Sequence, residues 1–332
     1  MIGKEIEPIL WNPLNNPELG LMNVFSESLA SLERKHPRLL PDLRQSSTIL
    51  IGSDYGGQHR FAQYESLSFL FADLENCGLW ETQRSQLRQR FLPDGRRLSY
   101  KNLGDSRRRA TLWPFLRAAD SIPGLVVTLL IDKRIESLFS KAGKLDTNTP
   151  ELCEYAHWDR AVLEKSLRVI HMCGFFLAGL SCPYQDVLWF TDEDAIVANE
   201  ARLREFVDMF SRVSSHYLPH TLRHVRIGTT RSDTGRRDIE DLVAVTDLVA
   251  GALCRVLTEY QEQGTFPLPE VVMPLPQSVP PKATRLVAWF SDQTQSLKKL
   301  AYVIRQDTNA ESLLLSYLRF HDFQNQLGWP PH

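Results

Sequence analysis

Cysteine is scarce and unpatterned in this chain. The five cysteines are scattered, odd in number, and contain no Cys-x-x-Cys pair. That distribution argues against a disulfide framework. We interpret the cysteines as reduced thiols, which predicts a reducing compartment.

Long hydrophobic runs are also missing. The most apolar stretch, Met172 to Leu180, is far shorter than the roughly 20 residues that a membrane-spanning helix needs. No apolar segment of the signal-peptide kind follows Met1. We therefore expect a cytoplasmic protein that has no membrane partner.

Neither sign of charge dominates, because 38 Lys and Arg face 40 Asp and Glu, for a formal net charge of -2. This balance argues against a uniformly basic nucleic-acid binder, although a local basic groove is still compatible with it.

The chain has no GxxxxGK loop, which counts against nucleoside triphosphates as substrates. We find no internal repeat. A chain of 332 residues is long enough for one large or two medium domains.

What the sequence does contain is a short apolar run that ends in an acid. Thr48 to Ile51 has the aliphatic, β-branched pattern of a strand buried on both faces. Gly52 and Ser53 lead from it to Asp54, and Gly56 and Gly57 allow a sharp turn. A carboxylate at the end of a rigid strand suits a metal ligand or a catalytic base. The alternative is that Asp54 only caps a turn.

Other segments repeat this arrangement. Leu125 to Ile131 predicts a buried strand that ends at Asp132, and Asp186 to Phe190 predicts another that runs into the acids 192–194. In a helix predicted over Asp238 to Tyr260, Asp247 lies on a face of small apolar residues. A carboxylate on such a face is costly unless a cation or a hydrogen-bond donor meets it.

Around these elements we expect a mixed α/β architecture with an N-terminal appendage (1–45), a main domain (46–262), and a proline-rich linker and C-terminal extension (263–332) that packs on the core. A helix over Asp105 to Ile122 suggests a parallel crossover into the strand at 125. The remaining expected elements are helices over Asn23–Lys35, Asn76–Phe91, Trp158–Leu180 and Ala201–Ser211, a strand over Gln63–Leu74 beside the first strand, a strand or connector over Arg96–Leu103, an edge strand over Arg223–Gly228, an extended linker over Phe266–Pro281, and a hairpin or helix over Leu297–Phe320.

If the strands are parallel neighbours, their acids gather at one edge of the sheet. Clustered carboxylates repel one another unless cations neutralise them, and ligands that offer only oxygen favour Mg2+ or Mn2+. The predicted metal ligands are Asp54, Asp132, Asp192, Asp194 and Asp247, and the predicted catalytic residues are Asp54, Asp192 and Asp247. Two such ions can clamp the attacking and leaving oxygens of a phosphodiester. We expect Asp54 to contact both ions.

Plainer interpretations remain open for each acid. Asp132 can begin a solvated loop, the acids 192–194 can stabilise a helix N-terminus, and Asp247 can be a hydrogen-bonded core acid. The loop that precedes the Asp247 helix carries Arg231, Arg236 and Arg237, which could contact a phosphate backbone of DNA or RNA.

The chain resembles the ribonuclease-H-like superfamily, and within it an uncharacterised prokaryotic group whose first strand typically ends Asp-Glu-Ser-Gly. The matching segments are LLIDKR at 129–134, LWFTDED at 188–194, AVTDLVAGAL at 244–253 and YKNL at 100–103. Here Asp54-Tyr55-Gly56-Gly57 stands in place of Asp-Glu-Ser-Gly. The similarity covers roughly residues 46 to 260.

The resemblance implies a ribonuclease-H-like mixed sheet flanked by helices. It also implies metal-binding or catalytic roles for Asp54, Asp192 and Asp247, with Asp132 as a fourth ligand, and it draws attention to Lys101 as a nucleic-acid contact. The predicted function is a nuclease that depends on Mg2+ or Mn2+. The alternatives are an inactive scaffold of the same fold that binds a protein partner, and a phosphatase or nucleotide hydrolase.

Overall fold

A computed structural model describes residues 10–14, 19–140, 145–264, 272–273, 278–307 and 312–320. Its centre is a seven-stranded mixed sheet with helices on both faces, which confirms the predicted α/β class. The strands are β1 Thr48–Gly56, β2 Tyr64–Asp73, β3 Gly124–Asp132, β4 Asp186–Thr191, β5 His224–Thr229, β6 Val272–Met273, β7 Leu297–Gln306, β8 Leu313–Tyr317 and β9 Arg319–Phe320. The helices are α1 Leu21–Lys35, α2 Gly78–Phe91, α3 Ser106–Ala119, α4 Arg160–Leu180, α5 Glu200–Tyr217, α6 Asp238–Glu262 and α7 Pro281–Ser291.

The strand order in the main sheet is β5-β4-β1-β2-β3-β7-β8. Strands β4 and β5 run parallel to β1, and β7 runs parallel to β3. Strand β2 is antiparallel to both β1 and β3, and β8 is antiparallel to β7. The second strand beside the first, the edge strand β5 and the C-terminal hairpin are therefore confirmed.

The predicted parallel crossover into β3 is wrong, because β3 pairs antiparallel with the strand that precedes it. Two helices, α2 and α3, join β2 to β3 and pack against each other. A pair of helices returns the chain to the same end of the strands that it left, so the next strand is antiparallel. A single crossover helix carries the chain to the opposite end, and the next strand is then parallel. The sequence pattern shows the helices but not this return.

Two hydrophobic cores lie on the two faces of the sheet. Helices α1, α4 and α5 cover one face, and α2, α3, α6 and α7 cover the other. Side chains alternate between the faces along each strand. In β1, Ile49 and Ile51 belong to the first core, and Leu50 belongs to the second.

Helix α6 runs along β1 at close range. Gly52 favours this approach, because a Cβ added there would lie 3.2 Å from Leu242. A Cβ added at Gly56 would make an ordinary contact of 3.6 Å with the Cβ of Ala250. Strand and helix advance in the same direction between these two contacts. Asp54, midway between the glycines, therefore lies level with the middle of that helix segment, where Asp247 is found.

The segments outside the predicted main domain take part in its core. Helix α1 confirms the expected N-terminal helix, and the buried Trp11 packs against the position of Gly179 on α4. Strand β7 enters the main sheet beside β3, so the C-terminal segment does more than pack on the core from outside.

Two further segments near the main domain refine the sequence predictions. Residues 96–103 form a loop that ends in turns at 100–103 and contains no strand, so the connector interpretation applies. Helix α7 was not expected.

Most of the expected proline-rich linker lies outside the described residues. Within the described ranges, no helix is both long and apolar enough to cross a membrane.

Candidate functional site

Two of the predicted acids are direct neighbours on adjacent strands. Strands β1 and β4 pair in parallel up to Ser53 opposite Thr191, and the backbone N–H of Asp192 then donates to the Ser53 carbonyl at 3.2 Å. This continued register sets Asp192 opposite Asp54, at the usual Cα spacing of about 4.8 Å between strands. Both positions alternate onto the face that α6 covers.

Asp247 reaches the same face from helix α6, and its carboxylate is held in place by the backbone. The N–H of Tyr100 donates to Asp247 Oδ2 at 2.5 Å. The Tyr100 ring lies against Gly251, where an added Cβ would come within 2.4 Å of it. Lys282 lies over that ring at 4.1 Å and donates to the Tyr100 carbonyl at 3.0 Å. The Tyr100 segment is thus clamped between α6 and α7.

The electrostatics show that the three carboxylates act on one another. Burial, and then the charges of Asp247 and Asp192, hold the pKa of Asp54 well above its usual range, while the charge of Lys165 acts in the opposite direction. Burial and Asp192 raise the pKa of Asp247 to about 6, against the lowering effect of the Tyr100 N–H. Asp54 is only 8% exposed. Its carboxylate accepts no hydrogen bond from any described residue.

The residue after Asp54 points away from these acids. Tyr55 belongs to the opposite core, where its hydroxyl lies 2.9 Å from Ser53 Oγ and accepts from Thr191 Oγ1 at 3.1 Å. The residue after Asp54 is therefore a buried structural side chain.

Asp194 is already engaged by the protein. Its carboxylate caps the short 3-10 helix Ala195–Val197, pairs with Lys165 of α4, and accepts from Gln58 Nε2 at 3.1 Å. This arrangement matches the helix N-terminus interpretation at that position. Asp194 still contributes, weakly, to the raised pKa of Asp54, so it lies at the border of the cluster.

The structure does not bring Asp132 to the other acids. Its carboxylate pairs with Arg134, whose Nε lies 3.0 Å from both carboxylate oxygens. The ladder sets Asp54 opposite Ser68, and Ser68 opposite Thr128. Asp132 is thus two strands across and four residues further along, about 16 Å from Asp54 at normal sheet spacings.

The predicted nucleic-acid contacts occupy different environments. Arg231 pairs with Glu193 at 2.9 Å, and Arg237 pairs with Glu240. Arg236 and Lys101 are exposed, and neither forms an ion pair with a described residue. Lys101 follows Tyr100 and therefore lies close to the Asp247 side of the cluster.

Several contributors to the site were not predicted. Thr230 Oγ1 donates to Asp192 Oδ1 at 3.2 Å, and the Tyr100 N–H donates to Asp247. The charge of Lys165 acts to lower the pKa of Asp54, and that of Lys282 acts to lower the pKa of Asp247. Thr230 directly follows an edge strand, so strand alignment could have identified it. The two lysines come from helices far away in sequence, and no local pattern marks them.

The donor set agrees in its chemistry with a hard divalent cation, since it offers only carboxylate oxygens and the largely buried Asp54 lies among like charges. In the described part of the chain, no three His, Cys, Asp or Glu side chains are already arranged to hold a metal ion. Asp54, Asp192 and Asp247 are the residues that would provide the ligands.

No protein-family model matches this chain, and a search of curated proteins finds no similar sequence either.

Proposed function

We propose that this protein is a nuclease that depends on Mg2+ or Mn2+ and has a ribonuclease-H-like core. The observation that carries the proposal is the largely buried carboxylate of Asp54, which accepts no hydrogen bond from a described residue and shares one face of the sheet with Asp192 and Asp247. Like charges at this spacing coexist at neutral pH only with a cation between them or with a proton on one of them.

The sheet supports the fold part of the proposal. It is mixed, with β2 reversed between β1 and β3 and with helices on both faces. The acids of β1 and β4 lie at the carboxyl ends of parallel neighbours, where α/β proteins usually place their sites.

Each side chain would have a definite task. Asp54, Asp192 and Asp247 would hold the cation, which when bound would neutralise the developing charge on a phosphodiester. The Tyr100 N–H keeps Asp247 in one orientation, and Thr230 does the same for Asp192. The exposed Lys101 and Arg236 would contact backbone phosphates on either side of the acids.

The direct test compares the wild type with Asp54→Asn on single-stranded and double-stranded DNA and RNA, with Mg2+ or Mn2+. In metalloproteins generally, replacing a residue that hydrogen-bonds to a metal ligand lowers activity or metal affinity by about 10–100-fold. Loss of a ligand itself should therefore lower the cleavage rate by at least about 100-fold. The matched control is Asp186→Asn, an acid on β4 at the opposite end of the sheet. Equal cleavage by the wild type and Asp54→Asn would refute the proposal.

Metal binding separates this proposal from a scaffold of the same fold. Mn2+ should raise the unfolding temperature of the wild type. At an Mn2+ concentration of 100 times the Kd, the free energy of unfolding should increase by about 2.7 kcal/mol. Asp54→Asn should lose most of this gain, and Asp186→Asn should keep it. A wild type that does not respond to Mn2+ would favour the scaffold.

A further inference from the structure

A cleft opens beside the carboxylates on the other side of Asp194. Its volume is about 670 Å³, within the range of small-molecule sites. The end of β1 and the loop after it form one wall, the segment after β3 forms another, and the first half of α4 forms the third. Gly56 and Asp194 line the cleft next to Asp54, so the cleft and the candidate site adjoin.

The floor of the cleft is rigid because its charges are paired internally. Arg168, which is 5% exposed, donates to Glu65 at 2.8 Å, to Glu164 at 2.9 Å and to the Ile135 carbonyl at 2.8 Å. Ile135 and Val162 add apolar surface to the lining. A flat apolar group could pack there without disturbing an ion pair.

One acceptor in this wall has no donor. Glu164 Oε1 accepts from Arg168 and from the Leu138 N–H, whereas Glu164 Oε2 is buried and has no partner in the described structure. The side chain is only 9% exposed. A buried carboxylate oxygen without a donor is costly. This oxygen is closed to solvent, so a ligand hydroxyl or amino group would relieve the cost when the Glu164 side chain turns toward the cleft.

Two exposed cations lie on the rim of the cleft. The Lys133 ammonium donates one hydrogen bond to the His59 carbonyl at 3.0 Å and has two further N–H groups that can donate to a ligand. Arg160 is exposed and forms no ion pair with a described residue. Glu136 is an exposed acid on the same rim, so the two cations leave an excess of one positive charge there.

We propose that this cleft binds one nucleoside monophosphate unit. The base would pack on Ile135 and Val162, a hydroxyl or amino group would donate to Glu164, and the phosphate would lie between Lys133 and Arg160. The role of the cleft rests on the proposed nuclease function: it would hold the nucleotide next to the bond that is cleaved. The binding itself needs neither metal nor cleavage.

The test is calorimetric titration of the full chain in EDTA with ribonucleoside and deoxyribonucleoside 5′-monophosphates, ribose 5-phosphate and inorganic phosphate. At least one nucleotide series should bind about tenfold more tightly than ribose 5-phosphate or phosphate, since only nucleotides fill the apolar wall. Val162→Trp, which fills the cleft from the first turn of α4, should weaken nucleotide binding about tenfold. Lys133→Gln with Arg160→Gln should weaken it and reduce its salt dependence.

The control is Arg204→Gln on α5, a side chain 81% exposed and outside the cleft, which should bind nucleotide as the wild type does. Phosphate that binds as tightly as every nucleotide, or a Val162→Trp variant with unchanged affinity, would overturn the inference. If nucleotides fail to bind while cleavage still requires Asp54, the inference falls and the nuclease proposal stands. If nucleotides bind the cleft but cleavage does not require Asp54, the nuclease proposal falls alone.

Discussion

Removing the charge of Asp247 should stabilise the metal-free protein at alkaline pH. Burial and Asp192 raise the pKa of this carboxyl to about 6 in the folded chain, compared with about 3.9 for an unperturbed Asp. The unfolded chain therefore releases its proton first as the pH rises. The stability that the raised pKa provides is complete below about pH 4 and is lost by about pH 7. Asp247→Asn avoids this loss and keeps an oxygen that accepts the Tyr100 N–H.

The expected size follows from the shift. A difference of about two units at about 1.36 kcal/mol per unit is about 3 kcal/mol, an upper value because the side chain is partly exposed. An unfolding entropy of about 2.1 cal/mol/K per residue converts this into about 4 °C in Tm for a chain of 332 residues.

The assay is thermal unfolding in EDTA at pH 4 and pH 8. Asp247→Asn should unfold at a higher temperature than the wild type at pH 8 and at nearly the same temperature at pH 4. The matched control is Asp241→Asn on the same helix. Asp241 pairs with Arg88 at 2.7 Å and with Arg84 at 3.2 Å, so its variant should be destabilised at pH 8. Saturating Mn2+ should then favour the wild type over Asp247→Asn. An Asp247→Asn variant that is less stable than the wild type at pH 8 in EDTA would refute the reasoning.

Two other variants test the packing around the site. Gly251→Ala would force a Cβ to 2.4 Å from the Tyr100 ring and should cost about 1–3 kcal/mol, whereas Gly78→Ala meets nothing within 4 Å and should be nearly neutral in thermal unfolding; equal Tm values for the two would contradict the clamp. Lys299 is 0% exposed and donates to Asp120 at 2.9 Å, so Lys299→Met should cost about 3–5 kcal/mol in urea unfolding by leaving that acid with the Trp289 hydrogen bond but without its cation. A loss below about 1 kcal/mol would show that the pair is not important for stability.

The cluster of Asp54, Asp192 and Asp247 shows how far local pattern can lead. Two of these acids follow apolar strands, and the third interrupts the small apolar face of a helix. Burial on both sides of a strand and the 3.6-residue period of a helix can be read from a sequence, so each acid could be assigned to an element, and Asp247 to a helix face as well. The three acids lie on the same face of the sheet because of the strand order, and no local sequence pattern contains that order.

Asp132 shows the limit. It also follows a long buried strand, and its local pattern is as strong as that of Asp54. Strand β2 separates β3 from β1, however, and β3 extends four residues beyond the level of Asp54. The strand register and the position of β2 between β1 and β3 are set by pairing between distant segments. They keep Asp132 away from the other acids, and its carboxylate pairs with Arg134 instead.

By itself, the amino-acid sequence determined which segments are buried strands, which helix faces are apolar, and that acids stand at the ends of several of them, because these properties depend on neighbouring residues. Only the tertiary structure decided the return of α2 and α3, the entry of β7 into the sheet, and the approach of Lys165 and Lys282 to the acids. Those features depend on which distant surfaces bury each other, and the free energy of that burial belongs to the whole chain rather than to any one segment.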